Sequence, residues 1–338
     1  MNRVVINGFG RIGRLVFRLL VNDPAFEIVG INDLSDPESL AYLLKYDSAH
    51  RNFMVNDITY DEKNIIINGQ KIPVFAESDA SNCPWKELNV DLVYECSGFY
   101  TTTEKANKHI QAGAKKVIIS APGDAEMKTI VYSVNEKELD GSESIISSAS
   151  CTTNCLAPVL NIIHNEYIVK KGLMATIHAY TNDQSTLDVA HKKGIKARRG
   201  RAAAANIVPT STGAAKAIGL VIKDLKGKLD GVAYRVPTIT GSVVDLTVEL
   251  GKEVTKEQIN ELLKSKQTTS MLVTDDPIVS SDVIGSFYGA VVDSLSTSVL
   301  TTDNGQLVKI VMWYDNEMGY TAQMIRTSKY WLRVSNLS

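Results

Sequence analysis

The first half of the chain alternates short, β-rich apolar runs with stretches of helical spacing. The runs are RVVIN, EIVGIN, DLVYECSG, KKVIISAP, TIVYSV and SIISSAS, several of them separated by segments such as TTTEKANKHIQAGA. Strands covered on both faces by crossover helices must be apolar at successive positions rather than at alternate ones, and these are. The pattern predicts a parallel sheet of βαβ units over residues 1–150. The second half is punctuated differently. LMATIHAY, GVAYRVP, SVVDLTVEL and LVKIVMWYD follow one another with few helical stretches between them, notably TKEQINELLKSK. That predicts an α+β domain with a mainly antiparallel sheet over residues 151–316. The closing segment, 317–338, has helical composition and is expected to pack back on the first domain.

A length of 338 residues agrees with two domains, about twice the usual ~150. With 44% hydrophobic and 22% charged residues, the composition excludes disordered, collagen-like and coiled-coil chains. The formal net charge of −2 gives no reason to expect nucleic acid or an acidic membrane as the main partner. Four cysteines are too few for a disulfide framework in a chain of this length, and none of their spacings suits a zinc finger or ribbon, so no metal is expected. No apolar run approaches the ~18 residues of a membrane span, and the opening MNRVVING lacks the pattern of a secretory signal. A cytoplasmic protein is expected. The polar, basic stretch from Tyr180 to Pro209 is long for a connection inside a domain, and such loops usually carry function.

The first strand runs into NGFGRIG, whose Gly8, Gly10 and Gly13 form GxGxxG at the opening of the helix pattern RIGRLVFRLLV. In that context the first glycine permits a tight turn, the second lets backbone approach a pyrophosphate, and the third lets helix and strand pack closely. Backbone N–H groups at the helix start then face an anion. The second strand ends at Asp33, twenty residues beyond Gly13, where a carboxylate meets the adenosine ribose hydroxyls and would repel a 2′-phosphate. A Rossmann-type domain that prefers NAD to NADP is predicted.

SASCTTNC places Cys151 between a strand and an apolar helical pattern at Leu156, Val159, Leu160, Ile163 and Tyr167. A thiol at a helix N-terminus is expected to gain thiolate character from the dipole and free N–H groups. Pro158 lacks the N–H that would bond back to Asn154, so a kink or a later helix start is expected. Cys83, Cys96 and Cys155 read as buried apolar thiols. Of the five histidines, His50, His109, His164 and His191 lie in helical or loop contexts. His178 lies near the C-terminal end of the apolar strand in TIHAYTND and is the candidate base for Cys151.

Together NGFGRIG, INDL, LLKYDSAH, SASCTTNCLAP, HAYTNDQ, NIVPTSTGAAKAIG, RVPTITGSVVDLT and WYDNEMGY resemble phosphorylating glyceraldehyde-3-phosphate dehydrogenase, from the first strand to the last helix. The resemblance implies that Cys151 adds to the aldehyde of D-glyceraldehyde 3-phosphate with His178 as base, that hydride passes to NAD, and that inorganic phosphate cleaves the resulting thioester to 1,3-bisphosphoglycerate. It implies that Thr181 and Arg235 hold the substrate phosphate, while Ser150, Thr152, Arg199, Thr212 and Gly213 hold the attacking one. Further implied cofactor contacts are Arg11, Ile12, Ser97, Ser120, Asn316 and Tyr320. A homotetramer is also implied, with the basic run Lys192, Lys193, Lys196, Arg198, Arg199 and Arg201 serving an anion site and a subunit contact rather than RNA.

Four positions depart from the family's usual pattern. Ser78 stands where an arginine near the cofactor is common, so that contact is not carried over. Val189 and Ala190 replace a frequent Leu-Pro, which bears on NADP exclusion, and Ser148 replaces a frequent Asn. The nearest enzymatic alternative is erythrose-4-phosphate dehydrogenase, a relative with a different substrate and a different resolution of the thioester. Arg199 and the TSTG segment, suited to an attacking phosphate, favour the first reading. A noncatalytic redox sensor on the same fold would have no need of Cys151, His178 and both sets of phosphate-site residues.

Overall fold

The computed structural model describes residues 1–191 and 194–337. These form two compact units, one of Met1–Ile130, Glu136–Ser150 and the chain from Met324, the other of Val131–Asn135 and Cys151–Gln323. Residues 131–135 thus belong with the second unit although they precede residue 150. They are tied there by the Tyr132 carbonyl, which accepts hydrogen bonds from the side chains of Ser270 (3.5 Å) and Gln323 (3.4 Å).

In the first unit the strands are Asn2–Asn7 (β1), Phe26–Asn32 (β2), Ile58–Tyr60 (β3), Asn64–Ile67 (β4), Gln70–Phe75 (β5), Leu92–Glu95 (β6), Lys116–Ile119 (β7), Lys128–Thr129 (β8) and Ile145–Ser147 (β9). They lie in the order β3-β4-β5-β2-β1-β6-β7-β9-β8. From β5 to β8 every pairing is parallel, the predicted Rossmann-type arrangement. The antiparallel β3-β4-β5 edge goes beyond the sequence reading. Its tight turn is Asn68-Gly69, both with positive φ, which is the backbone that a two-residue hairpin requires. TIVYSV gives only the short β8. Beyond it the chain turns, with the Val131 N–H donating to the Asn135 side chain at 2.9 Å.

The helices of this unit are Arg11–Leu20 (α1), Pro37–Lys45 (α2) and Thr103–Gln111 (α3). Asp36 caps α2 through the Ser39 N–H, and Thr102 caps α3 through that of Lys105. The start of α1 differs: Gly10 stands at the N-cap and has no side chain to cap with, and the first turn holds no acid. Val4, Ile6, Phe17, Ile31, Leu92 and Ile118 share one buried core with Met324, Ile325, Trp331 and Leu332 from the C-terminal helix.

The second unit contains Cys151–Tyr167 (α4), Val169–Ala179 (β10), Val208–Ser211 (β11), Ala214–Val221 (α5), Leu229–Val236 (β12), Ser242–Leu250 (β13), Lys256–Ser265 (α6), Met271–Thr274 (β14), Ala290–Thr302 (β15) and Gly305–Tyr314 (β16). The last helix, Met318–Val334 (α7), starts here. The strand order is β11-β12-β10-β13-β16-β15-β14, antiparallel except for β10 with β12 and β14 with β15. Helix α4 packs on β10, β13, β15 and β16. It begins at Cys151 and runs through Pro158. Where the proline withholds its N–H, Gly289 lies against the Asn154 carbonyl so closely that a Cβ there would stand 2.8 Å from the oxygen.

Among the described residues no helix is long and apolar enough to cross a membrane, and no group of three or more His, Cys, Asp or Glu is placed to hold a metal ion.

Candidate active site

Cys151 is the first residue of α4, and His178 is the penultimate residue of β10. The fold brings them together: Cys151 Sγ lies 3.3 Å from His178 Nε2. The other ring nitrogen, Nδ1, lies 2.7 Å from the Ala179 carbonyl oxygen, which can only accept. Arg235 Nη1 also stands 3.0 Å from Nδ1, but the shorter contact, to a group that can only accept, assigns the hydrogen to Nδ1, and Nε2 turns a lone pair toward the sulfur. Two residues before Cys151, Ala149 holds a left-handed φ of 56°, a conformation that costs a non-glycine residue energy and redirects the chain at the helix start.

Burial dominates the protonation of both groups. It pushes the Cys151 thiol up, with the Arg235 charge and the Thr152 hydroxyl pulling the other way. Burial thus opposes the thiolate that the helix start favours. Burial, reinforced by the Arg235 charge, pushes His178 down to about 3. At neutral pH the imidazole is thus uncharged, as a base must be.

Strands β10 and β12 set the neighbouring cation. His178 is in register with Arg235, and the Arg235 guanidinium donates to the Ala179 carbonyl at 3.0 Å and to Thr181 Oγ1 at 3.1 Å. Arg199 donates to Thr210 Oγ1 at 3.1 Å and pairs with Asp183, whose carboxylate also accepts from Thr181 Oγ1 at 2.5 Å. Burial opposes the Asp183 charge, but the Thr181 hydroxyl and Arg199 together hold its carboxyl below the ordinary range. Asp183 is a residue that the sequence reading missed, although TND between the two phosphate candidates was the available signal. Thr212 Oγ1 accepts from the Ala214 N–H at 3.2 Å, and Gly213 caps α5 with open space where a Cβ would stand. Ser150 adjoins Cys151 in the chain and belongs to the first unit.

Of the basic run, Arg199 and Arg201 are paired with Asp183 and Asp188 of the same loop. Lys192 and Lys193 lie outside the described residues.

In the first unit the glycine turn has the shape its sequence implies. Gly8 has φ +87°, and a Cβ there would stand 2.6 Å from the Ser97 backbone; a Cβ on Gly13 would stand 2.1 Å from the Gly8 carbonyl oxygen. Gly10, by contrast, faces open space. Tight packing on two sides and an opening on the third, before an uncapped helix start, fits a pyrophosphate. The Asp33 carboxylate accepts from the Phe9 N–H at 2.7 Å and the Ser35 N–H at 2.9 Å, so it is held against this turn with lone pairs to spare for ribose hydroxyls. The Arg11 side chain pairs with Asp47. Ser97 is fixed by buried Glu95, whose Oε1 accepts from both its N–H and its hydroxyl, and the Ser120 N–H donates to the Glu95 carbonyl at 3.0 Å. Glu95 Oε2 in turn takes hydrogen bonds from Asn7 and from His109, itself held by Trp85. This buried chain is a second feature that single-residue reading missed, because its members are far apart in sequence.

Asn316, in the second unit, accepts the Ser242 hydroxyl on its side-chain oxygen at 2.9 Å, which fixes its amide with the NH2 group turned away from Ser242. Tyr320 is buried in the same unit. Ser78 is exposed, Val189 and Ala190 are exposed, and Ser148 is buried.

The chain matches two family models, one described as the NAD binding domain of glyceraldehyde 3-phosphate dehydrogenase, over residues 2–103, and one as its C-terminal domain, over residues 150–316. It is 52% identical over 335 residues to the glyceraldehyde-3-phosphate dehydrogenase of Clostridium pasteurianum, covering 99% of this chain and 100% of the relative. It is 52% identical over 334 residues to that of Streptococcus pyogenes, covering 98% and 99%. On the matched domains, and on identity that extends from end to end, the chain belongs to the glyceraldehyde-3-phosphate dehydrogenase family.

Proposed function

We propose that the chain oxidises D-glyceraldehyde 3-phosphate to 1,3-bisphosphoglycerate with NAD and inorganic phosphate, as a cytoplasmic glycolytic enzyme. The observation that carries this reading is the 3.3 Å approach of Cys151 Sγ to the lone-pair nitrogen of His178. As the sulfur bonds to the aldehyde carbon, Nε2 takes the thiol proton, and the developing imidazolium keeps Nδ1–H on the Ala179 carbonyl. His178 then holds that proton beside the substrate oxygen of the thiohemiacetal. NAD, when bound, supplies the hydride acceptor that turns this adduct into a thioester. The turn at Gly8, Gly10 and Gly13, the backbone of Arg11 and Ile12, Asp33, Ser97, Ser120, Asn316 and Tyr320 would hold the cofactor.

Arg235 and Thr181, joined at 3.1 Å, would hold the substrate phosphate, so that the aldehyde is anchored by its far end. Arg199, Thr152, Thr212, the Gly213 N–H and Ser150 would hold the attacking phosphate. Its oxygen displaces the Cys151 thiolate from the thioester, and the cysteine is regenerated. The test is NADH formation with each sugar phosphate, with and without inorganic phosphate. Phosphate-dependent turnover of glyceraldehyde 3-phosphate is expected. Phosphate-independent turnover of erythrose 4-phosphate would reverse the assignment, an alternative that the names of the relatives do not favour.

A homotetramer is part of the proposal. One face of the second unit's sheet carries α4, while the other presents Leu173, Ile177, Val232, Tyr234, Val243, Val311 and Leu307 from four strands, interspersed with Asp230 and the Asp245–Lys309 pair. Leu173 is 67% exposed. A sheet face with exposed large apolar side chains is what a second copy of the chain would cover.

A further inference from the structure

The phenol of Tyr314, at the end of β16, is 1% exposed and has no place in the chemistry above. Its oxygen lies 2.9 Å from Thr152 Oγ1 and 2.8 Å from Thr176 Oγ1, and both threonines are buried. Its ring meets that of His178 edge-on, with centroids 5.9 Å apart. Burial, with the nearby Cys151 and Cys155, raises the phenol well above its ordinary value, so it is a neutral O–H throughout.

Three hydroxyls in a row bring three hydrogens to two contacts, so one hydrogen is left at an end of the row. Buried donors are paired. Among the described residues the Thr176 hydroxyl meets only Tyr314, so its hydrogen goes to the phenolic oxygen. The phenol hydrogen then goes to Thr152 Oγ1, and the hydrogen left over is that of Thr152. The next group within its reach is Cys151 Sγ, 4.0 Å away.

We infer that Tyr314 is a positioning residue: with Thr176 behind it, it turns the Thr152 hydroxyl into an oriented donor aimed at the reacting sulfur and at the phosphate that attacks there. The row is prearranged and buried, so the donor is already pointed when charge appears on sulfur. Without Tyr314 the Thr152 hydroxyl is free to rotate and loses its donor from behind. This inference rests on the acyl-transfer reading of Cys151, but it can be tested without turnover.

The experiment combines Tyr314→Phe, Thr152→Val, their double variant and Thr176→Val in the full-length protein. Two readouts are taken: the pH dependence of Cys151 alkylation by iodoacetamide, and KM for inorganic phosphate against KM for NAD. Tyr314→Phe is expected to move the alkylation profile to higher pH and to raise the phosphate KM about 3- to 10-fold, the loss of one hydrogen bond, with the NAD KM unmoved. The double variant should be no worse than Thr152→Val alone, because Tyr314 acts through Thr152. Thr176→Val should reproduce part of the effect although it touches neither sulfur nor substrate, and it serves as the second variant should Tyr314→Phe fold poorly. Additive effects of the two substitutions, an unmoved alkylation profile in Tyr314→Phe, or a silent Thr176→Val would each overturn the inference. An inactive wild-type protein whose alkylation profile still responds to Tyr314→Phe would instead sink the proposed reaction and leave the positioning role standing.

Discussion

His178 is packed among Cys151, Arg235 and the Tyr314 ring, and its lowered affinity for protons has a consequence for stability. Folded, the ring titrates near 3; unfolded, near 6.5. Between those values the unfolded chain binds a proton that the folded chain refuses, so acidification favours unfolding, by about 1.4 kcal/mol per pH unit. Above pH 6.5 the group contributes nothing. His178→Asn removes this liability: between pH 7 and pH 5 the variant should gain about 2 kcal/mol relative to wild type in denaturant titrations, while its turnover falls roughly 10²- to 10⁴-fold for want of a base. A stability difference that does not change with pH would mean that the ring is protonated in the fold. Asp33 supports a second prediction at this scale. Asp33→Ala should raise KM for NAD more than for NADP, because the carboxylate favours the ribose hydroxyls and repels a 2′-phosphate; equal changes would remove Asp33 from the ribose.

At the scale of elements, β1 and α1 meet at a turn where two glycines are packed and one is open. The same substitution should therefore act in two ways. Gly13→Ala drives a methyl into the Gly8 carbonyl and should cost about 1–3 kcal/mol of stability, read from the denaturant midpoint, with cofactor affinity lost alongside. Gly10→Ala meets no protein atom within 4 Å, so the midpoint should hold while NAD binding, followed by titration, weakens. A Gly10→Ala protein that binds NAD at full strength would show that the opening is not the pyrophosphate's. Helix α4 makes a related point. Pro158 predicted a kink or a later start, yet the helix begins at Cys151 and runs through it, with Gly289 close beside the Asn154 carbonyl.

For the whole molecule, near balance between 36 basic and 38 acidic residues means that the two phosphates of the proposed reaction would be captured by local groups and not by a global field. The sheet face that carries Leu173 is the feature that acts at this scale. Leu173→Glu places a charge in the middle of it without touching Cys151, His178 or the glycine turn, and sedimentation should show the wild-type tetramer giving way to smaller species. A wild-type chain that sediments as a monomer of 37.0 kDa would refute the proposed assembly.

The chain order of elements, the parallel and antiparallel sheets, the glycine turn, Asp33, Cys151 and His178 were all legible in the sequence, because each rests on local spacing or on a motif that local backbone geometry demands. The Asn68-Gly69 hairpin was legible too and was passed over. Only tertiary structure decided the rest. Asp183 meets Arg199 across sixteen residues, Glu95 joins Asn7, Ser97 and His109, and Tyr314 reaches Thr152 and Thr176 from another strand. The surroundings of the Cys151 thiol belong with these: a helix start can be read from a string of letters, but how far the fold desolvates it cannot, and that desolvation opposes the thiolate.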